Sequence, residues 1–381
     1  MYKNFFYFKE KKIDVFLSPE GGFGPTILKP IMLNCFYKKQ SNFVLIFGFH
    51  PNRHNKLILN IFEKNFLWLE LSNKNIPYSL IDEKKKYLIF KFLKFLLNKF
   101  SKVKKVIDFN MFFCNFLNIN NLPEQSNKNF GTYRSVHKFI YRNEKFININ
   151  INYLDHLKKK INFKLKNKKC ALFIRSVKNT VDSTKELRNT DTLNSYKESI
   201  IENIEKGWQF FISGDEANIQ DWMYNFKDNI IFRSKTNFTI DQYNLFCGLI
   251  SDCFIGSGSG PTNWKFLDVN KPFLILDGYP IGMGWYKSTV AYKLVEKINF
   301  KNIKEIFDDN SMRYSPPINC KFLNSNEKKK IINEFLNFQK YGHVIGLSGQ
   351  DLNLPENSIL NCGYAKMSQS WFEIQKKILE N

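Results

Sequence analysis

Five small residues in a row follow a short apolar run in the second half of the chain. The stretch is SDCFIGSGSGPTNWKFL over residues 251–267, and its bare part runs from Gly256 to Gly260. A strand that stops there and leads into a helix exposes backbone N–H groups with no side chains in front of them, and such a helix start binds anions. A tight strand-to-helix turn is the other interpretation. The run matches neither the dinucleotide fingerprint nor the Walker phosphate loop.

Polar residues also follow the other predicted strands of this half. Arginine occurs only seven times in the chain, whereas lysine is abundant. An arginine at a strand end therefore suggests a site that needs a planar guanidinium group, which can bind two phosphate oxygens at once. Two arginines, a carboxylate and a glycine-rich turn are suitable parts for holding a nucleoside diphosphate. A surface ion pair for the first arginine and a helix cap for the carboxylate remain alternatives. The strand-end residues are Arg175, Gly214, Asp215, Arg233, the pair Asp277-Gly278, and Ser257, Gly258, Ser259, Gly260 and Thr262 after the run above.

A dense polar cluster lies between the Arg175 strand and the next predicted helix. It contains Arg188, Asn189 and Asp191 within ELRNTDTLNSY. One interpretation is a loop that reaches over the diphosphate, with Asp191 as a candidate general base. The alternative is an ordinary helix N-cap by Asp191 or Asn194.

The first half repeats the bare-backbone pattern in SPEGGFGPT, where Gly21, Gly22 and Gly24 stand beside Glu20. This predicts a loop that contributes to a binding cleft, with the helix beginning near Thr26. Glu20 or His50, each at a predicted strand end, could act as a general base. A solvated surface carboxylate is the competing explanation for Glu20.

Hydrophobic periodicity places these residues on strand–helix alternations that predict parallel sheets covered by helices. In the first half we expect strands near 12–19 and 41–51 and helices over 55–73 and 82–102. The lysine-bearing second helix fits core packing best, with a membrane-surface helix as the alternative. In the second half we expect five strand–helix units, which form a doubly wound sheet with ligands at the carboxyl ends of its strands. Their strands are 170–175, 208–215, 229–234, 252–257 and 271–278, and their helices include 194–207, 216–226, 239–251 and 260–270, with a terminal helix from 368.

Composition bounds the remaining possibilities. A length of 381 residues favours two domains, and seven scattered cysteines without a CxxC pair favour reduced thiols and neither zinc nor disulfides. We expect no leader peptide, no spanning helix and a cytoplasmic location, with the inner membrane face as an alternative. The net charge of +22 favours anionic ligands or surfaces. Because the lysine enrichment is diffuse, it does not by itself indicate nucleic-acid binding.

The order of five short motifs resembles the donor domain of fucosyltransferase-like bacterial glycosyltransferases of the GT-B type. The motifs are Arg175 at a strand end, LRNTD, GWQFFISGD, DCFIGSGSG and KPFLIL, and EGGFGPTI resembles the glycine loop of the first domain. Phe173 replaces the histidine of the family's His-x-Arg. The resemblance implies that Arg175 contacts the diphosphate, Asp215 the nucleoside side, and residues 257–262 the phosphates through their N–H groups.

The resulting prediction is an α/β protein of GT-B-like architecture, with two Rossmann-like domains whose parallel sheets face a central cleft. Residues 1–160 would form the acceptor-side domain, 161–365 the nucleotide-sugar domain and 366–381 a C-terminal helix. The predicted enzyme is a hexosyl- or deoxyhexosyltransferase that uses a nucleoside-diphosphate sugar and a glycan or lipid-linked acceptor, without metal or other cofactor. A nucleotide-sugar epimerase or hydrolase on the same fold is the alternative. A basic nucleic-acid-binding protein is a further one, disfavoured because the chain lacks the aromatic-basic motifs of RNA readers.

Overall fold

The computed structural model describes most of both halves of the chain. The described residues are 12–18, 23–38, 43–48, 61–62, 67–71, 83–109, 116, 136, 139–147, 149–174, 193–214, 219–256, 267–278, 287–296, 300–308, 320–354, 360 and 365–380.

Two compact units divide the chain, Met1–His156 and Leu157–Asn381. The predicted division after residue 160 differs from this one by four residues. Both units are built on parallel sheets, so the predicted α/β class with two Rossmann-like halves is confirmed.

The first unit contains a four-stranded parallel sheet in the order β3-β2-β1-β4. The central strand β1 is buried from Ile13 to Leu17, as expected for a strand inside a sheet that is covered on both faces. Its alternate residues Ile13, Val15 and Leu17 share one buried cluster with Leu97 of the helix that precedes β4. The elements are β1 (Ile13–Ser18), α1 (Phe23–Tyr37), β2 (Phe43–Gly48), β3 (Leu67–Leu71), α2 (Glu83–Asn98) and β4 (Val103–Asp108), followed by α3 (Ile151–Lys158).

Two predictions for the first unit were wrong. The expected helix over 55–73 is wrong at Leu67–Leu71, which form strand β3. A short apolar run such as LWLEL suits either state, and pairing with β2 provides its hydrogen-bond partners. Helix α1 begins at Phe23 rather than near Thr26, so Gly24 and Pro25 lie in its first turn. Proline is tolerated there because the first N–H groups of a helix have no intrahelical acceptor.

The second unit contains a seven-stranded parallel sheet in the order β13-β10-β9-β8-β5-β6-β7. Its neighbouring central strands β8 and β9 are buried along their whole length, as expected for a sheet covered on both faces. The strands are β5 (Lys168–Ile174), β6 (Trp208–Gly214), β7 (Ile230–Ile231), β8 (Cys253–Gly256), β9 (Phe273–Gly278), β10 (Ser288–Tyr292) and β13 (Ala365–Met367), with a separate antiparallel pair β11 (Leu294–Val295) and β12 (Cys320–Lys321).

Helices cover this sheet and begin and end at recognisable residues. Thr239 forms a capping box with Gln242 at the start of α5, and Gly207 adopts a φ of +88° just beyond the end of α4. The terminal helix is fastened to the core, because Trp371 donates its indole N–H to the carbonyl of Tyr292 at 2.7 Å. The helices are α4 (Lys197–Glu205), α5 (Ile240–Ile250), α6 (Ile303–Asp308), α7 (Ser325–Phe338) and α8 (Gln369–Glu380).

The predicted elements of the second unit were confirmed for strands β5, β6, β8 and β9 and for helices α4, α5 and α8. The expected helix over 216–226 was wrong within the described residues, where Asp221–Phe226 forms a 3₁₀-helix. The expected helix over 260–270 lies mostly outside the described residues. Strands β10 and β13 were not predicted, because both are short and their strand state depends on pairing with residues far away in sequence.

Candidate functional site

The strand order of the second unit reverses between β5 and β8. From β5 the chain proceeds to β6 and β7 on one side, and from β8 it proceeds to β9, β10 and β13 on the other. In an open parallel sheet, ligands bind outside the carboxyl ends of the strands at such a reversal, because the connections diverge there and leave a crevice. The geometry therefore singles out the carboxyl ends of β5 and β8.

The two strand ends lead directly into the residues that the sequence marked. Strand β5 ends at Ile174 and the next residue is Arg175; β8 ends at Gly256 and the next residues are Ser257 to Gly260. Phe173 is paired with Gly256 across the two strands. Arg175 and the small-residue run therefore both follow this pair of residues within two positions, at the reversal of the strand order.

Gly256 is required by the approach of the two strands. A Cβ atom built on Gly256 would lie 2.6 Å from the carbonyl oxygen of Phe173 and 3.1 Å from its Cβ atom. The first contact involves backbone, which cannot move aside without separating the strands. Any side chain at this position would thus disturb the pairing of β5 with β8 at the reversal.

The carboxyl end of strand β6 lies beside the ends of β5 and β8. Gly214 closes β6 and is paired with Ile174 of β5. Just before it, the buried hydroxyl of Ser213 donates to the side-chain oxygen of Asn244 on α5 at 2.7 Å. This buried bond fixes the end of β6 against a helix, immediately before Asp215.

Arg233 is placed farther from the reversal. Strand β7 is the edge of the sheet, two strands from β5, and Phe211 is the last residue of β6 with which it pairs. Since neighbouring strands are about 4.8 Å apart, β7 lies about 10 Å from β5. Arg233 begins a 3₁₀ turn over Arg233–Lys235, whose start is fixed by the N–H and hydroxyl of Thr236, both donating to the carbonyl of Arg233.

Asp277 is a strand-end residue that the structure uses internally. Its carboxylate lies 3.2 Å from the Lys328 ammonium of α7 and accepts the Leu323 N–H at 2.8 Å, and both charged side chains are inaccessible to solvent. Burial raises the pKa of the Asp277 carboxyl, although the ammonium and the N–H act in the opposite direction. Its φ of +50° is unusual for a residue with a side chain. This residue therefore joins β9 to α7 through contacts inside the protein.

The first unit also has a strand-order reversal, between β1 and β4. Strand β1 ends at Ser18, shortly before Glu20, and β4 ends at Asp108, which is exposed and paired with Leu17. Gly24 lies in the first turn of α1, which follows β1. Sequence reasoning missed Asp108, because β4 itself is a short lysine-containing strand that the hydrophobic pattern did not indicate.

Most of the predicted site residues lie outside the described part of the chain, and their roles remain predictions. Among the described residues, no group of three or more histidine, cysteine, aspartate or glutamate side chains is arranged to hold a metal ion. The residues outside the described ranges are Glu20, Gly21, Gly22, His50, Arg175, Arg188, Asn189, Asp191, Asp215, Ser257, Gly258, Ser259, Gly260 and Thr262.

Sequence reasoning also missed the close contact at Gly256 and the bond between Ser213 and Asn244. The glycine belonged to the run that drew attention, but its contact with Phe173 depends on which strands are neighbours. The serine and asparagine are separated by 31 residues and had no motif to link them.

No protein-family model matches this chain, and no curated protein matches it either. Among solved structures it is similar to the E. coli heptosyltransferase WaaC with ADP-2-deoxy-2-fluoro heptose, at 9% identity, covering 73% of this chain and 92% of the other, with a TM-score of 0.43. It is also similar to E. coli ADP-heptose LPS heptosyltransferase II, at 8% identity and 97% coverage of both chains, with a TM-score of 0.36. A family 9 glycosyl transferase from Veillonella parvula gives 10% identity, 70% and 80% coverage, and a TM-score of 0.37. At these identities and TM-scores the similarities decide neither the fold nor the activity of this chain.

Proposed function

We propose that this protein is a glycosyltransferase that moves a sugar from a nucleoside-diphosphate sugar to a glycan or lipid-linked acceptor in surface-polysaccharide or glycoconjugate synthesis. The observation that carries the proposal is the reversal between β5 and β8, where Gly256 has no room for a side chain and the small-residue run and Arg175 begin. The motif order described above supports transfer as the reaction, within the hexosyl or deoxyhexosyl class.

In this proposal the second unit binds the donor. The N–H groups of residues 257–260 and of Thr262 bind the diphosphate together with the guanidinium of Arg175; Pro261 has no N–H to donate. Arg188 and Asn189 approach the diphosphate from their loop, and Asp215 binds the nucleoside side. Charge that develops on the departing diphosphate is stabilised by these fixed donors, without a divalent ion. Arg233 remains a candidate only for a substrate that extends as far as the β7 edge.

The chemical step transfers one bond. The acceptor hydroxyl oxygen forms a bond to the anomeric carbon of the sugar while the bond from that carbon to the diphosphate breaks, and the nucleoside diphosphate departs. In an inverting reaction the hydroxyl proton passes to a carboxylate, for which Glu20 and Asp191 are the candidates. Gly21, Gly22 and Gly24 of the first unit have no side chains, so the acceptor would be able to contact the backbone there.

A nucleotide screen tests the binding part of the proposal. We expect one of UDP, GDP, CDP and ADP to raise the melting temperature saturably, since a ligand that binds only the folded state stabilises it. Arg175→Ala should abolish this increase, because the guanidinium fork is lost. Arg142→Ala is the matched control, an exposed arginine in the first unit that should leave the increase intact. An unchanged increase in Arg175→Ala would contradict the assignment.

Product analysis separates transfer from the alternative reactions. A transferase consumes the sugar nucleotide in proportion to the acceptor supplied, whereas an epimerase or hydrolase converts it with no acceptor present. A nucleic-acid-binding protein would instead bind oligonucleotides with an affinity that falls steeply as salt rises. We expect acceptor-dependent release of the nucleoside diphosphate and no such oligonucleotide binding.

A further inference from the structure

Helix α2 of the first unit carries large apolar side chains on the face that does not contact the core. Among the side chains that the structure describes, its inner face includes Leu97, which is buried, and Leu93, which packs against the buried cluster of β1, β2 and β4. The outer face is defined here as the α2 outer stripe, and its residues are strongly exposed: Leu88 (62%), Phe92 (60%), Phe95 (58%) and Leu96 (38%).

The stripe follows from helical geometry. Leu88, Phe92 and Phe95 are spaced by four and three residues, so they lie above one another on one side of the helix. At 100° per residue their mean direction is about 150° from that of Leu93 and Leu97. Core packing was the preferred sequence interpretation of this helix, and the structure assigns core packing to its inner face only.

The charge around the stripe has a single sign. Between Glu83 and Asp108 there are nine lysines and no aspartate or glutamate. Lys91, Lys94 and Lys99 are exposed on α2 and the turn that follows it, and the Lys99 ammonium lies 4.2 Å from the centre of the Phe95 ring. Lysines interleaved with exposed aromatic and aliphatic side chains are typical of a helix that lies in a membrane interface.

We propose that the α2 outer stripe docks this protein on an anionic lipid bilayer. The helix lies in the plane of the interface, with Phe92 and Phe95 at the boundary of the acyl chains and the lysine ammonium groups at the level of the headgroup phosphates. No helix in the described part of the chain is long and apolar enough to cross a bilayer. The surface would bring a lipid-linked acceptor to the enzyme, but the docking itself does not depend on the nucleotide site.

A second copy of the chain is a less suitable occupant. A two-fold symmetric contact places the same surface on both sides, so the lysines of one stripe would face the lysines of the other. Like charges brought together at an interface oppose association. A bilayer with anionic headgroups supplies both the opposite charge and the apolar layer that the stripe requires.

Vesicle sedimentation of the full chain tests the proposal. The vesicles contain phosphatidylcholine alone or an equal mixture of phosphatidylcholine and phosphatidylglycerol. We expect binding to the mixed vesicles and weak binding to the neutral ones. Phe92→Ser/Phe95→Ser should lower the partition coefficient by on the order of tenfold or more. Lys91→Gln/Lys94→Gln/Lys99→Gln should lower it by on the order of a hundredfold at low salt, since each lysine near an anionic surface contributes several-fold.

Matched variants elsewhere on the surface serve as controls. Tyr224→Ser/Phe338→Ser removes two exposed aromatic rings and Lys159→Gln/Lys160→Gln/Lys340→Gln removes three exposed lysines, and both should bind vesicles like the unaltered protein. All the variants alter exposed side chains, so each should keep the melting temperature and any nucleotide-induced increase in it. If no nucleotide raises the melting temperature of the unaltered protein or of any variant, the proposed function is refuted, whereas the docking proposal is not affected.

Three results would overturn docking. The first is equal binding of the unaltered protein to neutral and mixed vesicles. The second is binding by both stripe variants that matches the unaltered protein. The third is a dimer that dissociates in Phe92→Ser/Phe95→Ser while vesicle binding does not change, which would assign the stripe to a second copy of the chain.

Discussion

Replacing Gly256 by alanine tests whether the reversal between β5 and β8 is built around a bare backbone. The new Cβ atom would meet the Phe173 carbonyl oxygen at 2.6 Å. An ordinary van der Waals contact of a Cβ atom is 3.4–4 Å, so the strands must separate locally by about 0.8 Å or more. The strain has to be taken by backbone on both strands, because the contact involves no flexible side chain.

The expected cost follows from this overlap. Overpacking of this kind destabilises a protein by about 1–3 kcal/mol. In a unit of this size each kcal/mol lowers the melting temperature by about 2–4 °C, so the total decrease is about 2–12 °C. Because the N–H groups of the small-residue run follow directly, nucleoside diphosphate affinity should fall by on the order of tenfold or more, beyond the effect on stability.

The assay compares Gly256→Ala with Gly278→Ala by thermal unfolding and by calorimetric titration with the nucleotide found in the screen. Gly278 ends the neighbouring strand β9, and a Cβ atom there would meet only side-chain atoms of Ile275, Tyr292 and Val290, at 3.3–3.4 Å. These can shift, so the control should lose less than about 1 kcal/mol and keep its nucleotide affinity. Equal stability and affinity in the two variants would refute the reasoning about close approach.

Two further predictions concern buried ionisable groups. Lys328→Met leaves the Asp277 carboxylate buried without its counterion, so unfolding in urea should show a loss of about 3–5 kcal/mol at about pH 8. Burial raises the folded-state pKa of Asp277 and the Lys328 ammonium lowers it, so this pKa rises further in Lys328→Met. A carboxyl with a raised folded-state pKa contributes stability that is present at low pH and lost as pH rises, and this loss is larger in the variant than in the unaltered protein. The deficit should therefore shrink towards about pH 5, and an equal deficit at both pH values would contradict this. Burial also raises the pKa of the Cys320 thiol to about 11 and that of the more deeply buried Cys35 to about 12. A short alkylation pulse on the folded protein, read by mass spectrometry, should label both thiols slowly and Cys320 faster than Cys35. Both rates should increase at higher pH, because the thiolate is the reactive form. Faster labelling of Cys35 would contradict its deeper burial.

The strands of the second unit were predicted better than those of the first, because each can be recognised from its own short stretch of sequence. The strands CALFI, WQFFIS, DCFIG and PFLILD of the second unit are compact apolar runs bounded by glycine, proline or charge, so each run itself indicates a buried strand. In the first unit LWLEL and VKKVID carry no such boundaries. Their strand state is decided by neighbours far away in sequence, β2 for the former and β1 for the latter.

The same distinction between local and tertiary information applies to the candidate site. Residue type and position after a strand were enough to select Arg175 and the small-residue run, because both properties are visible in the sequence. The need for glycine at position 256 depends on β5 and β8 being neighbours, and the internal ion pair of Asp277 depends on where α7 lies. Strand order and helix docking are tertiary properties that a run of residues does not encode by itself. The outer stripe of α2 was ambiguous for the same reason, since only the structure separates its inner face from its outer face.

Hydrogen–deuterium exchange of the full chain, with and without the nucleoside diphosphate that stabilises it, tests the central claim most directly. Amides that bind the diphosphate are shielded, so we expect new protection in peptides that cover 175–191 and 257–266, directly after β5 and β8. Protection confined to the first unit, or to the β7 edge around Arg233, would contradict the placement of the nucleotide at the reversal of the second sheet.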